Sequence, residues 1–316
     1  MIDFRYHLVS LIAVFLAVAL GIIIGTTALN EPLQANIEGQ VSDLEQDKRA
    51  LEDQTQQLQA QVDTSDAFAE AVASDLVDGA LAGSSVLLVL GNEDVPPEQV
   101  EQISALVTEA GGTVGGTISL QPAYTDPSTA SGLQNYVTGP GMPPAGVELP
   151  ETDDAGQLVG SLLAQVLMTP AGGPAPDGTA ASSVLAGLTA LDVLASEGDS
   201  VAAADYAIVL TSGGFTGDDA AERNATLVEL VSALDAASSG AVVAGDAAST
   251  GETGLIGVLR ADPTLSAAVS TVDNVGTAAG RISTVLALGG EAEGTSGRYG
   301  TGEDTQPVPP LPATTP

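Results

Sequence analysis

The sequence predicts an α/β protein: an N-terminal transmembrane helix, a coiled-coil stalk, then a doubly wound, mostly parallel sheet domain. Three observations predict it. Leu8 to Leu29 reads LVSLIAVFLAVALGIIIGTTAL without a charge, and about twenty apolar residues at ~1.5 Å rise cross the ~30 Å hydrocarbon layer. Ile37, Leu44, Leu51 and Leu58 then recur seven apart. Beyond residue 84, short apolar runs alternate with helical periods, the signature of stacked βαβ units.

The predicted organisation is a stub at 1–7, an anchor at 8–29, a stalk at 30–78, the α/β domain at 79–290 and a tail at 291–316. Arg5 and His7 precede the span, Asn30 and Glu31 follow it, and the next bases are Lys48 and Arg49. A positive flank stays cytoplasmic, so the bulk of the chain is expected outside. A cleaved signal peptide, with Thr26 and Ala28 before the cut, is the alternative, although its apolar region is usually only ~7–15 residues. Within the span, Ala13, Ala17, Gly21 and Gly25 share a helix face, a spacing that lets two helices in lipid approach closely.

In the stalk, Val41, Lys48, Thr55 and Val62 form the second core position of the heptad. Glu38, Glu45 and Glu52 follow the Leu/Ile knobs and Asp47 lies on the other flank. In a parallel self-pair Asp47 faces Glu52 of its mate. The expected partner surface (Ile37, Val41, Leu44, Glu45, Asp47, Lys48, Leu51, Glu52, Leu58 and Val62) therefore suits a helix with Lys or Arg flanks better than a second copy. A helix packed on its own domain is the plain alternative.

Ser85–Leu90 (SVLLVL) reads as a buried parallel strand ending at Gly91. Pro96-Pro97 opens a helix whose Val100, Ile103, Leu106 and Val107 share a face, and Thr113–Leu120 completes the βαβ unit. The Pro-, Gly-, Ser- and Thr-rich stretch 121–152 reads as a long loop. Helices are expected at 154–168, 181–196, 218–238, 251–260 and 276–288, with strands at Tyr206–Thr211, Ala241–Gly245 and Val269–Val272. The tail from Glu291, rich in Gly, Thr and Pro, is expected to be disordered.

Strand ends bind ligands in such sheets, so Asn92, Asp94, Ser212, Gly213, Gly214 and Asp246 mark a candidate ligand cleft. The run SGGFTG before a helix offers backbone amides to an anion, but it lacks the P-loop lysine, and Asp218 and Asp219 repel anions while making good N-caps. Turn chemistry is the better reading of it. Asp94 and Asp246 are read as caps rather than catalytic carboxylates.

Composition excludes much. Forty-one acids against seven bases give a formal charge of −34, which disfavours nucleic acid and anionic lipid as ligands. There is no Cys, and the one His is His7. That removes disulfides, thiolate nucleophiles, Ser-His-Asp triads and His-based metal sites from the region after the span. No catalytic residue, resident metal or cofactor is expected, and the chain is not expected to be an enzyme.

The opening MIDFRYHLVSLIAVFLAVALGIIIG, the acidic heptad stalk and a domain beginning SVLLVLG resemble the mycobacterial copper transport protein B family, whose corynebacterial relatives are called SteB. The likeness covers the whole chain. The family name implies copper efflux through an outer-membrane channel. The SteB branch implies a cell-envelope and division role, in complex with a membrane protein of SteA type and supporting a peptidoglycan hydrolase of the NlpC/P60 class. The residues speak against a channel: four Phe, five Tyr and no Trp cannot girdle a transmembrane barrel. Copper(I) prefers Cys or Met, and only Met142 and Met168 lie beyond the span. The sequence alone therefore favours an anchored envelope adaptor, with copper transport as the alternative.

Overall fold

The computed structural model describes residues 4–197 and 201–310; the side chains of residues 4 and 26–38, Ile37 and Glu38 among them, lie outside that description. The chain divides into two units, residues 1–65 and 66–316.

The first unit is helical. α1 runs from Phe4 to Val77, 74 residues, so the expected anchor and stalk are one uninterrupted helix. Pro32 falls inside it. Its Arg5–Gly25 segment, with mean hydropathy 2.9 and no burial, is long and apolar enough to cross a membrane.

The second unit is a seven-stranded sheet with helices on both faces, in the order β3-β2-β1-β4-β5-β6-β7. β1 is Ser85–Leu90, α2 Pro97–Glu109 and β2 Thr113–Leu120, as the spacing predicts. Val100, Ile103, Leu106 and Val107 are the buried face of α2. Where a loop is expected, the chain forms α3 (Pro122–Thr125), a 3₁₀ turn at Pro127–Thr129 and α4 (Ala130–Val137). Tyr124, Leu133 and Val137 are buried there, so packing overrides a weak local signal. α5 (Ala155–Leu167) and α6 (Gly178–Ala190) follow. The helix expected to 196 stops early, because Asp192 takes a left-handed φ of 56° and β3 (Leu194–Glu197) pairs antiparallel with β2.

Beyond these come β4 (Tyr206–Thr211), α7 (Ala220–Ala236) and β5 (Ala241–Gly245). Then follow α8 (Leu255–Ala261), α9 (Pro263–Ala268), β6 (Ser270–Val272), α10 (Ala278–Glu291) and β7 (Arg298–Tyr299). All pairs except β2–β3 are parallel. Alternation along β1 sends Leu87 and Val89 into the core under α5 and α7, and Val86, Leu88 and Leu90 into the core under α2 and α10. The final turns of α1 join the second core: Ala73 and Val77 are buried, Glu70 pairs with Arg281 at 3.2 Å, and Asp66 accepts the Ala278 N–H at 3.1 Å.

The expected disorder from Glu291 is corrected by burial of its polar groups. The Glu291 carboxylate accepts the Ser270 N–H at 2.8 Å and the Ser296 hydroxyl at 3.1 Å. β7 then pairs with β6, and Arg298 Nε donates to Ser266 at 2.7 Å. Asp273 (2% exposed side chain) takes Arg260 at 2.7 Å and the N–H groups of Thr301 at 2.7 Å and Gly302 at 3.1 Å. Arg260 also donates to the Tyr299 carbonyl at 3.0 Å. A charged knot thus replaces the apolar signal that the tail lacks. Residues 311–316 lie outside the described residues.

Four carboxyls in this unit are displaced in their titration: a backbone hydrogen bond lowers Asp126, and burial raises Glu229, Asp235 and Glu291. Partial burial, reinforced by the neighbouring Asp154, pushes Glu229 up to about 7. Asp154 caps α5 through the N–H groups of Gly156 at 2.8 Å and Gln157 at 3.2 Å, which holds its carboxylate at the start of that helix. A raised carboxyl binds more protons folded than unfolded, so stability falls as pH rises between the ordinary carboxylate value and about 7. Glu229→Gln is expected to flatten that fall and to raise the denaturation midpoint at pH 8. Urea melts of both proteins at pH 5 and pH 8 check it; parallel pH profiles would sink the assignment.

Candidate functional site

Two surfaces carry the sequence-predicted residues. The first is the middle of α1. Val41, Leu44, Leu51, Leu58 and Val62 are 50%, 69%, 63%, 54% and 48% exposed, an apolar row without cover in its own unit. Beside it Arg49 pairs with Glu45 at 3.2 Å, and Lys48, from the second core position of the heptad, pairs with Glu52 at 3.5 Å. The flanks are therefore partly neutralised within the helix, which softens the expected Asp47–Glu52 repulsion in a self-pair. Thr55 donates its hydroxyl to the Leu51 carbonyl at 2.8 Å, so its polarity in the seam is already satisfied. In the apolar segment, a Cβ on Gly21 or Gly25 would meet nothing within 4 Å, so the face shared with Ala13 and Ala17 is open.

The second surface is the crevice where the sheet changes direction, between the carboxyl ends of β1 and β4. β1 connects to β2 on one side, and β4 leads to β5 on the other. Five of the six predicted cleft residues line it: Asn92, Asp94, Ser212, Gly213 and Gly214. Asn92 Nδ2 donates to the Ser212 carbonyl at 2.7 Å and ties the two loops together. Asp246 is not in the lining. Its carboxylate sits behind the loop, accepting the Ser212 hydroxyl at 2.9 Å and the Gly213 N–H at 3.0 Å. It also caps the 3₁₀ turn at Ala247–Thr250 through the Ser249 N–H at 2.9 Å, so its expected capping role is met.

Asp246 decides the chemistry of the SGGFTG run. The hydroxyl and amide that would cradle a phosphate are held by an internal carboxylate, and the run is a braced turn. Gly213 supplies it with φ +65°, and Gly214 lies against the Thr253 backbone, where a side chain would collide. The expected caps after other strands differ. Asp219 occupies the N-cap position of α7 without a side-chain bond, and Asp94 is exposed in a loop ahead of Pro96, the N-cap of α2.

The crevice holds residues that the sequence did not single out. Arg223 Nε donates to Thr125 at 3.2 Å, and its guanidinium lies 4.3 Å over the Phe215 ring. Asn224, 1% exposed, donates to the carbonyls of Thr253 at 2.7 Å and Ala220 at 3.1 Å. Arg223 is one of only seven bases and directly follows Glu222 in the first turn of α7. That rarity was the available signal; Asn224, inside a helix, left none.

Metal chemistry has little to work with. Among the described residues no group of three or more His, Cys, Asp or Glu could hold an ion. Met168 is fully buried in the core at the end of α5, and Met142 packs against the same core.

Comparison with known proteins places this architecture. The family described as copper transport outer membrane protein, MctB, matches residues 1–310. Copper transporter MctB of Mycobacterium tuberculosis is 32% identical over 313 residues, covering 98% of this chain and 99% of the relative. The Mycobacterium bovis protein of the same name gives the same figures. That of Mycobacterium leprae is 33% identical over 310 residues, covering 96% and 97%. Full-length coverage at that identity, over an N-terminal apolar helix joined to an α/β sheet domain, means that the chain belongs to the MctB family of copper transport outer membrane proteins.

Proposed function

We propose that this protein serves its family's copper-transport role as a membrane-anchored docking component and not as the conduit. The observation that carries the reading is the exposed row Val41, Leu44, Leu51, Leu58 and Val62 on α1. Such a row is stable in water only when another apolar helix covers it. Against a conduit stand the residues themselves. The described sheet is open, with β3 and β7 at its edges, and carries helices on both faces instead of a lipid-facing band. A soft ion finds only carboxylates and two core methionines beyond the span.

Isothermal titration of the full chain in detergent with copper(I), under reducing conditions, tests this. The expected result is no saturable binding in the nanomolar range; nanomolar affinity returns the protein to direct copper handling. The proposed orientation has the N-terminus in the cytoplasm, on the strength of Arg5 and His7 before the span. Protease added to envelope-stripped cells should then digest the α/β domain and spare an N-terminal tag, and the reverse pattern inverts the topology. The same docking surface also suits the SteB-like reading, in which a SteA-type membrane protein or an NlpC/P60 hydrolase supplies the covering helix. Identification of what crosslinks to residues 41–62 in cells separates these readings.

A further inference from the structure

We infer that the crevice between β1 and β4 is a binding site for a neutral saccharide unit, a site separate from the docking surface on α1. Its position is the first reason. Open α/β sheets bind ligands where the strand order reverses, because the two loops leaving β1 and β4 diverge there and open a gap. The gap is present, with a cavity of about 260 Å³. That is smaller than the ~300–1,000 Å³ of sites for cofactors and drug-sized ligands, and it fits one ring, not a dinucleotide.

The polar groups of the crevice set the ligand's chemistry. Asn92 and Asn224 both line it, and each turns its carboxamide nitrogen to backbone carbonyls: Asn92 to Ser212, Asn224 to Thr253 and Ala220. This fixes both amide orientations and leaves both Oδ1 atoms buried without a partner. A buried acceptor without a donor costs about 1–3 kcal/mol, so two on residues that line one crevice are an unmet demand for O–H or N–H donors. Glu93 and Asp94 add acceptors at the lip. An anion is disfavoured twice, by these carboxylates and by Asp246, which already holds the Ser212 hydroxyl and the Gly213 N–H. A cation is disfavoured by Arg223. Hydroxyl groups answer both sides, since each donates to a carboxamide oxygen and accepts from a guanidinium.

Three hexoses that share a ring and differ in charge test this: glucose, glucuronate and glucosamine, titrated into the full chain in detergent micelles. Chemical shifts of the Asn carboxamides and of the Gly213 and Gly214 amides are the readout. Glucose is expected to move the Asn92 and Asn224 signals saturably, and glucuronate to bind more weakly. Asn92→Ala, at a half-buried position, is expected to weaken glucose about two- to tenfold, the worth of one hydrogen bond. Asn224→Leu is expected to act in the same direction where it folds. Three results overturn the inference: no shift with glucose at tens of millimolar, tighter binding of glucuronate or glucosamine than of glucose, or unchanged glucose affinity in Asn92→Ala.

Discussion

Asp273→Ala is expected to destabilise the α/β domain by about 3–5 kcal/mol, the cost of stranding one member of a buried ion pair. The Arg260 side chain is 11% exposed and would keep its charge among β6, β7 and the loop after them. The N–H groups of Thr301 and Gly302 would lose their acceptor as well. Urea denaturation of the full chain in detergent measures the loss, and amide exchange should show residues 298–306 opening first. Replacing both partners by leucine is expected to recover much of the stability, since an apolar pair leaves no buried charge. A single-variant loss under ~1 kcal/mol would mean that water reaches Arg260 and the knot is a surface feature.

The second large effect concerns docking. Leu44→Asp with Leu51→Asp is expected to abolish capture of the covering helix in cells. Burying a leucine stabilises an interface by ~1.5–3 kcal/mol, so losing two weakens it by roughly a hundredfold or more. Both side chains are over 60% exposed in the free protein, so the urea midpoint of the α/β domain is expected to stay where it is. Glu45→Lys with Glu52→Lys breaks the pairs to Arg49 and Lys48, worth only ~0.3–0.5 kcal/mol each, and should shift partner choice towards self-association. Undiminished crosslinking in the Asp variant, or a stable wild-type homodimer at micromolar concentration, would remove the docking reading.

What could be read in the sequence followed from the strength of its periodic signals. SVLLVL, the α2 face and the strands at 206–211 and 241–245 repeat hydrophobicity over full elements, and each formed where expected. β3 and β7 are four and two residues long, at the sheet edges, too short for any period to register. α4 hides among Ser, Gly and Gln because only Leu133 and Val137 of its face are buried. At the crevice, glycines and small polar or acidic residues after strands pointed to five lining positions. Arg223, Asn224 and Phe215 reach it from a helix and a loop through tertiary folding, which one sequence does not display.

The joining of α1 to the second core also governs how the domain could be shed from a membrane. A cut N-terminal to Asp66 leaves Asp66, Glu70, Ala73 and Val77 in place, and with them the bonds to Ala278 and Arg281. A cut at the first strand would strip one wall from the core, take away the carboxylate that accepts the Ala278 N–H at the start of α10, and leave Arg281, almost wholly buried, without its carboxylate. A protease that severs the helix between residues 39 and 65 would thus liberate an intact particle, and one cutting just ahead of Ser85 would release a fragment prone to unfold and aggregate.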